Sequence, residues 1–255
     1  MSRSTAPSSA PLLNEHYQRL GADYDDYLHY SDDFVRRLTS KMIRSLDLQE
    51  DDVLVDLGGG TGMYAADILA QVPLRHPVIL VEPFAQMLAN VPADLPIECV
   101  QMDALAFSTE PRRYDKVLMK EAVHHVVDQA TLFANLHARL SPGGRLLLVH
   151  VPPELDYPLF EAALARSRTW HADPARLVRQ LRETGFAVER DVLDYRHGIP
   201  KEAYFRMVAG RYMSLLSSFS DDELRAGLGE MAERHANRDV LEFTDRFDFI
   251  TAIRD

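Results

Sequence analysis

The chain has 255 residues, 46% hydrophobic and 26% charged, with a formal net charge of -11. That balance suits a globular α/β protein able to bury its own core, and an acidic chain with no basic stripe excludes nucleic acid as a natural partner. No apolar run reaches the roughly 18 residues of a membrane span, and the one cysteine, Cys99, excludes an intramolecular disulfide framework or a cysteine-rich metal site.

The start, MSRSTAPSSAPLL, is rich in Ser, Pro and Ala and lacks the apolar stretch of a signal peptide. Residues 1–12 are expected to form a disordered tail and 13–255 a single domain, in a reducing, cytoplasmic setting. From 13 to 48, Tyr17, Leu20, Tyr24, Tyr27 and Leu28 recur at helical spacing, followed by Phe34, Leu38, Met42, Ile43 and Leu46. Ser31, Asp32 and Asp33 supply a cap between these helices.

Strand and helix patterns then alternate. Strands are expected at Val53–Leu57, Val78–Glu82, Ile97–Met102, Tyr114–Met119 and Arg145–Val151, the last announced by the turn SPGG. Helices are expected at Gly62–Gln71, Phe84–Val91 and Gln129–Leu140. This order implies a parallel sheet with helices on both faces. Cys99, in the apolar run PIECVQM, reads as a buried structural thiol. Beyond Pro152 and Pro153 come helices Tyr157–Trp170 and Pro174–Thr184, then a strand Phe186–Tyr195. A helical insertion over residues 200–237 precedes a last strand at Val240–Ile253. The two final strands suggest an antiparallel hairpin at one sheet edge. The expected fold is a Rossmann-like, mostly parallel seven-stranded sheet with an antiparallel last strand, a helical N-terminal lid and a helical insertion before the last strand.

Three consecutive glycines follow the first strand in VLVDLGGGTGMYA. A turn without side chains at the carboxyl end of a strand, leading into a helix, lets a nucleotide-like ligand approach the backbone. The dinucleotide fingerprint is G-x-G-x-x-G, whereas here Asp56 is followed by Gly58, Gly60 and Gly62 as D-x-G-x-G-x-G. That pattern resembles motif I of the class I methyltransferases that use S-adenosylmethionine (SAM). The resemblance extends through ILVEPFAQML, CVQMDALAF, YDKVLMKEAVHHV and LHARLSPGGRLLLVH, about Tyr17 to His150. It implies SAM as cofactor, with Glu82 on the ribose hydroxyls, Asp103 near the adenine amino group, and Pro83 and Ala104 beside the nucleoside. A carboxylate suits the ribose because it accepts from both hydroxyls. Asp56, Gly58, Gly60 and Gly62 would line the methionine part. Lys120 would contribute there through its carbonyl or its charge.

Methyl transfer asks chiefly for alignment and, for some acceptors, a base. Glu121, His124 and His125 follow the fourth strand and are candidates for that base. The alternative for the histidines is a pocket-lining role. His150 ends the neighbouring strand, but adjacent histidines do not point to one ion, so no metal site is expected. Tyr17 and Tyr24 are expected to touch the cofactor or the reacting groups, since an aromatic face attracts a sulfonium. In the insertion, Arg206 and Arg211 could clamp a carboxylate or lie on a solvated helix face.

The leading expectation is a methyltransferase acting on a small-molecule acceptor in secondary metabolism, as a monomer or homodimer. A second reading is a SAM lyase or cyclase, in which SAM alone gives azetidine-2-carboxylate and methylthioadenosine. A third is a non-catalytic SAM-binding partner protein. The glycine spacing disfavours a nicotinamide oxidoreductase.

Overall fold

The computed structural model describes residues 31–255. The expected tyrosine contacts at Tyr17 and Tyr24, and the first part of the lid, lie outside the described residues. Helix α1 (Asp32–Leu46) opens them, with the Ser31 hydroxyl accepting from the Phe34 N–H as N-cap. Its apolar stripe Phe34, Leu38, Met42 and Leu46 is fully buried.

Four parallel crossovers follow: β1 (Leu54–Leu57), α2 (Met63–Gln71), β2 (Val78–Val81), α3 (Ala85–Leu88), β3 (Ile97–Val100), α4 (Ala104–Thr109), β4 (Tyr114–Lys120), α5 (Gln129–Arg139) and β5 (Leu140–His150). Then come α6 (Glu161–Trp170), α7 (Pro174–Thr184), β6 (Ala187–Pro200), α8 (Lys201–Ala209), α9 (Asp221–Arg234) and β7 (Val240–Ile253). The sheet order is β3-β2-β1-β4-β5-β7-β6. β1 to β5 pair in parallel, and β7 runs antiparallel to both β5 and β6.

Alternation along the strands divides the core in two. Val55, Leu57, Val117, Met119, Leu146 and Leu148 pack with α4, α5 and α7 on one face. Leu54, Leu80, Leu118, Leu147, Val149 and Phe249 pack with α1 and α2 on the other. A third cluster belongs to the insertion. Tyr204, Met207, Leu216 and Met231 meet Phe160 and Leu159 over the far ends of β6 and β7.

Several expectations shift. Cys99 is exposed, not buried, because β3 is an edge strand and only its ends are half-covered. The α3 helix is a single turn rather than eight residues. The SPGG segment lies inside β5, which begins at Leu140; the pairing register with β4 shifts between Tyr114 and Lys116. β6 runs on to Pro200, since its partner β7 is equally long and pairs with it throughout.

Gly227 sits in α9 against the ring of Phe160, and an added Cβ would lie 2.5 Å from that ring. Gly227→Ala gains about 1 kcal/mol of helix propensity but loses about 1–3 kcal/mol by overpacking. A net destabilisation of about 1 kcal/mol is expected in denaturant titration; a stabilised variant would show that Phe160 moves aside freely.

Candidate functional site

Strand order reverses direction between β1 and β4, and a cavity opens at the carboxyl ends of these strands. Open α/β sheets bind ligands at such a switch point. The β1–α2 loop forms its floor. Gly58, Gly60 and Gly62 all have left-handed φ (82°, 58° and 80°), a conformation that costs any residue with a Cβ. Gly59 is required for a different reason: a Cβ there would lie 2.8 Å from the Asp56 carboxylate and the Leu80 side chain.

Glu82, immediately after β2, closes the loop from the side. Its two carboxylate oxygens accept from the Gly60 N–H (3.2 Å) and the Phe84 N–H (3.1 Å). Glu82 is 6% exposed. Burial raises its pKa from 4.5 to about 7, and the two N–H donors pull in the opposite direction. Asp56 is likewise raised to about 7 by burial and by Glu82, with Lys120 opposing.

The opposite wall comes from the end of β4 and from later elements. The Lys120 ammonium lies over the rings of Tyr64 (4.8 Å) and Phe247 (5.4 Å). Burial lowers its pKa, while Glu121, Asp245 and Asp56 oppose that shift. Glu121 has φ 52°, which is sparsely populated for a residue with a side chain. Its carboxylate accepts from the Val151 N–H at 2.6 Å, and burial raises its pKa to about 7. His124 lines the same cavity, together with Tyr157, His171 and Tyr212. Tyr157 donates to the buried Asp245 carboxylate, which also faces His197.

The structure thus gathers Asp56, Gly58, Gly60, Glu82, Lys120, Glu121 and His124 around one cavity. The His125 ring lies 4.0 Å from that of His124, tilted by 54°, and His125 is not among the cavity-lining residues. Gly62 lies just past the lining as the N-cap of α2. Asp103 sits at the same sheet edge, where its carboxylate caps α4 by accepting from the Ala106 N–H at 2.9 Å. Pro83, Asp103 and Ala104 are not among the cavity-lining residues. Arg211 is no free clamp: its guanidinium donates to the Leu216 and Phe219 carbonyls and to Asp221. Arg206 is exposed on α8.

The sequence did not flag Tyr64, Tyr157, His171 or Phe247. Tyr157 and His171 flank a short helix, and Phe247 is one of several aromatic residues of β7. Tyr64 follows the glycine loop directly, but no spacing marks the other three, because only the tertiary path brings them to that loop.

A family profile described as a methyltransferase domain matches residues 27–191. The chain belongs to this family. Trans-aconitate 2-methyltransferase of Methylobacterium radiotolerans is 30% identical over 168 residues, 63% of this chain and 64% of that protein. The chain spans between 55% and 64% of the length of the curated relatives it matches. Phosphoethanolamine N-methyltransferase 2 of Haemonchus contortus, solved with S-adenosyl-L-methionine, superposes with a TM-score of 0.63 at 17% identity, over 100% of this chain and 61% of that one. The cyclase SpnF superposes with a TM-score of 0.58 at 16% identity, over 97% of this chain and 93% of that one. The fold is the Rossmann-like fold of class I SAM-dependent methyltransferases, and the cofactor is SAM. The residues present fit such a group. The loop beside the cavity carries no side chains at positions 58–60, and a carboxylate able to accept from two hydroxyls lies next to it.

A methyltransferase with Glu82 buried has a pH-dependent cost in its ligand-free state. The group titrates near 4.5 when unfolded and near 7 when folded, so the native state holds the extra proton between those values. Stability therefore falls as pH rises from 4.5 to 7 and is level above. Glu82→Gln is expected to raise the melting temperature relative to the wild type at about pH 8 and to leave it nearly unchanged at about pH 5. An equal effect at both would contradict the assignment.

Proposed function

We propose that this protein transfers a methyl group from SAM to a small-molecule acceptor in secondary metabolism. The observation that carries this reading is the meeting of the Gly58–Gly60 turn, Glu82 and the Lys120–His124 segment around one cavity, in a chain that belongs to a methyltransferase family. When bound, SAM supplies an activated methyl group on a sulfonium. The protein's part is to hold, orient and deprotonate.

Glu82 would accept from the ribose hydroxyls, exchanging one of its backbone donors for them. Gly58 and Gly60 would pass beneath the methionine part, with Asp56 and Lys120 at its charged end. Pro83, Asp103 and Ala104, at the ends of β2 and β3, would border the adenine. Tyr17 and Tyr24 would close the site from the N-terminal side. Glu121, held near neutral pKa by burial, is the base this reading favours for an acceptor proton. His124 and His125 are kept uncharged by burial, His125 with a pKa of about 4. An uncharged imidazole can accept a proton, though its lowered basicity makes it the weaker candidate.

A second reading keeps SAM and changes the reaction. Glu121 and Lys120 lie side by side at the cavity wall, a base beside a cation able to meet a carboxylate. In this reading the α-amine of SAM forms a bond to its own γ-carbon as the carbon–sulfur bond breaks. The ammonium proton goes to Glu121, and the products are azetidine-2-carboxylate and methylthioadenosine. A non-catalytic SAM-binding partner is a third possibility.

One assay separates them: incubation with SAM alone and with acceptor candidates, followed by identification of the nucleoside product. Acceptor-dependent S-adenosylhomocysteine (SAH) is expected. Methylthioadenosine from SAM alone, above the spontaneous background, would replace methyl transfer with cyclisation. Bound SAM without turnover would favour the binding protein. Gly60→Val and Glu82→Ala are expected to weaken SAM binding by about tenfold or more, roughly the share of one or two hydrogen bonds. Unchanged affinity by calorimetry would remove those residues from the site.

A further inference from the structure

His171 caps the end of α6 and is 7% exposed. Its ring meets that of His124 edge-on, 5.5 Å between centres, and both residues line the cavity beside Glu121. Among the described residues, none of the four ring nitrogens of this pair has a hydrogen-bond partner. Buried polar groups are rarely left in that state unless something from outside the chain completes them.

We propose that His124 and His171 together seat a hydroxyl or amine group of the small acceptor, and that this part of the cavity turns away carboxylates and phosphates. The proposal rests on the methyl-transfer reading above. An uncharged imidazole offers one donor and one acceptor. A hydroxyl, or an amine in its neutral form, can satisfy both kinds of nitrogen, whereas a carboxylate or a phosphate monoester dianion can only accept. Burial keeps both rings uncharged at neutral pH, with the His171 pKa lowered to about 3.

The charge around the pair points the same way. The described residues lining the cavity include three carboxylates, Asp56, Glu82 and Glu121, against one ammonium, Lys120. That ammonium already feels the fields of Glu121, Asp245 and Asp56. Arg211, which precedes the cavity-lining Tyr212, is committed to two backbone carbonyls and Asp221. Among the described residues, an anionic acceptor would meet three carboxylates for one ammonium, which already interacts with two of them. This separates the chain from a relative whose name specifies trans-aconitate.

The test is binding to the SAH-loaded protein, followed by the ring nitrogen-15 resonances of His124 and His171. The probes are catechol and tyramine on one side, trans-aconitate and phenyl phosphate on the other. Catechol or tyramine is expected to shift both rings, and the two anions to leave them in place. His171→Leu is expected to weaken binding of the shifting probe about tenfold, the share of one good hydrogen bond. SAH affinity should stay within about twofold, well under such a bond's share. His171→Asn, which keeps a donor and an acceptor, should restore most of that binding and guards against a packing effect. Shifts caused by the anions, or by none of the probes, would overturn the proposal. So would shifts caused by SAH alone, which would assign the pair to the cofactor's own amine. Because the readout is binding, failure here is distinct from failure of methyl transfer, which the nucleoside-product assay decides.

Discussion

Glu82 ties together the two loops from which the site is built. One carboxylate oxygen takes the Gly60 N–H of the β1–α2 loop, and the other takes the Phe84 N–H that opens α3. The loop could not take this path with ordinary residues, since left-handed backbone at positions 58, 60 and 62 demands glycine. In turn, the carboxylate could not remain buried without those N–H groups, because an unpaired buried carboxylate gives up more than its hydration returns. The pKa near 7 shows that the compensation is partial. A ligand presenting two hydroxyls would complete it, which is why this pair of loops reads as a seat rather than as packing.

The facing wall is built by a different part of the chain. β6 and β7 run 14 residues each, far past the end of β5. Their distal halves carry the insertion and its separate core. Arg211, with its own left-handed φ of 59°, fastens the turn after α8 to the segment before α9. That fixes Tyr212 and Met213 at the cavity rim. Phe247 reaches the cavity from β7, and Tyr157 is held by Asp245 of the same strand. The glycine-loop wall and the wall proposed for the acceptor therefore draw on separate elements, which meet, among the described residues, where β4 ends at Lys120 and Glu121. This division allows a fold shared with methyltransferases and with a cyclase to carry different chemistries.

Much of this is legible in the sequence. The glycine spacing, Glu82 after the second strand and the strict alternation of strand and helix identify the fold and one half of the cavity, because both depend on local backbone rules. Asp103 shows where such reading is ambiguous. Its position marks the right sheet edge, yet its carboxylate caps α4, and the same residue type suits either task. Cys99 shows a second difficulty: an apolar run predicts burial, but edge position is a property of strand order, which no single strand encodes. His171 was illegible altogether. It comes to face His124, 47 positions earlier in the chain, only through the tertiary path that brings the end of α6 to the segment after β4.

The most direct test of the central claim is a crystal structure of the protein with SAH bound. The account predicts both ribose hydroxyls on the Glu82 carboxylate, with the methionine part crossing Gly58–Gly60 toward Lys120 and Glu121. A nucleoside bound elsewhere, with Glu82 still accepting only from Gly60 and Phe84, would contradict it.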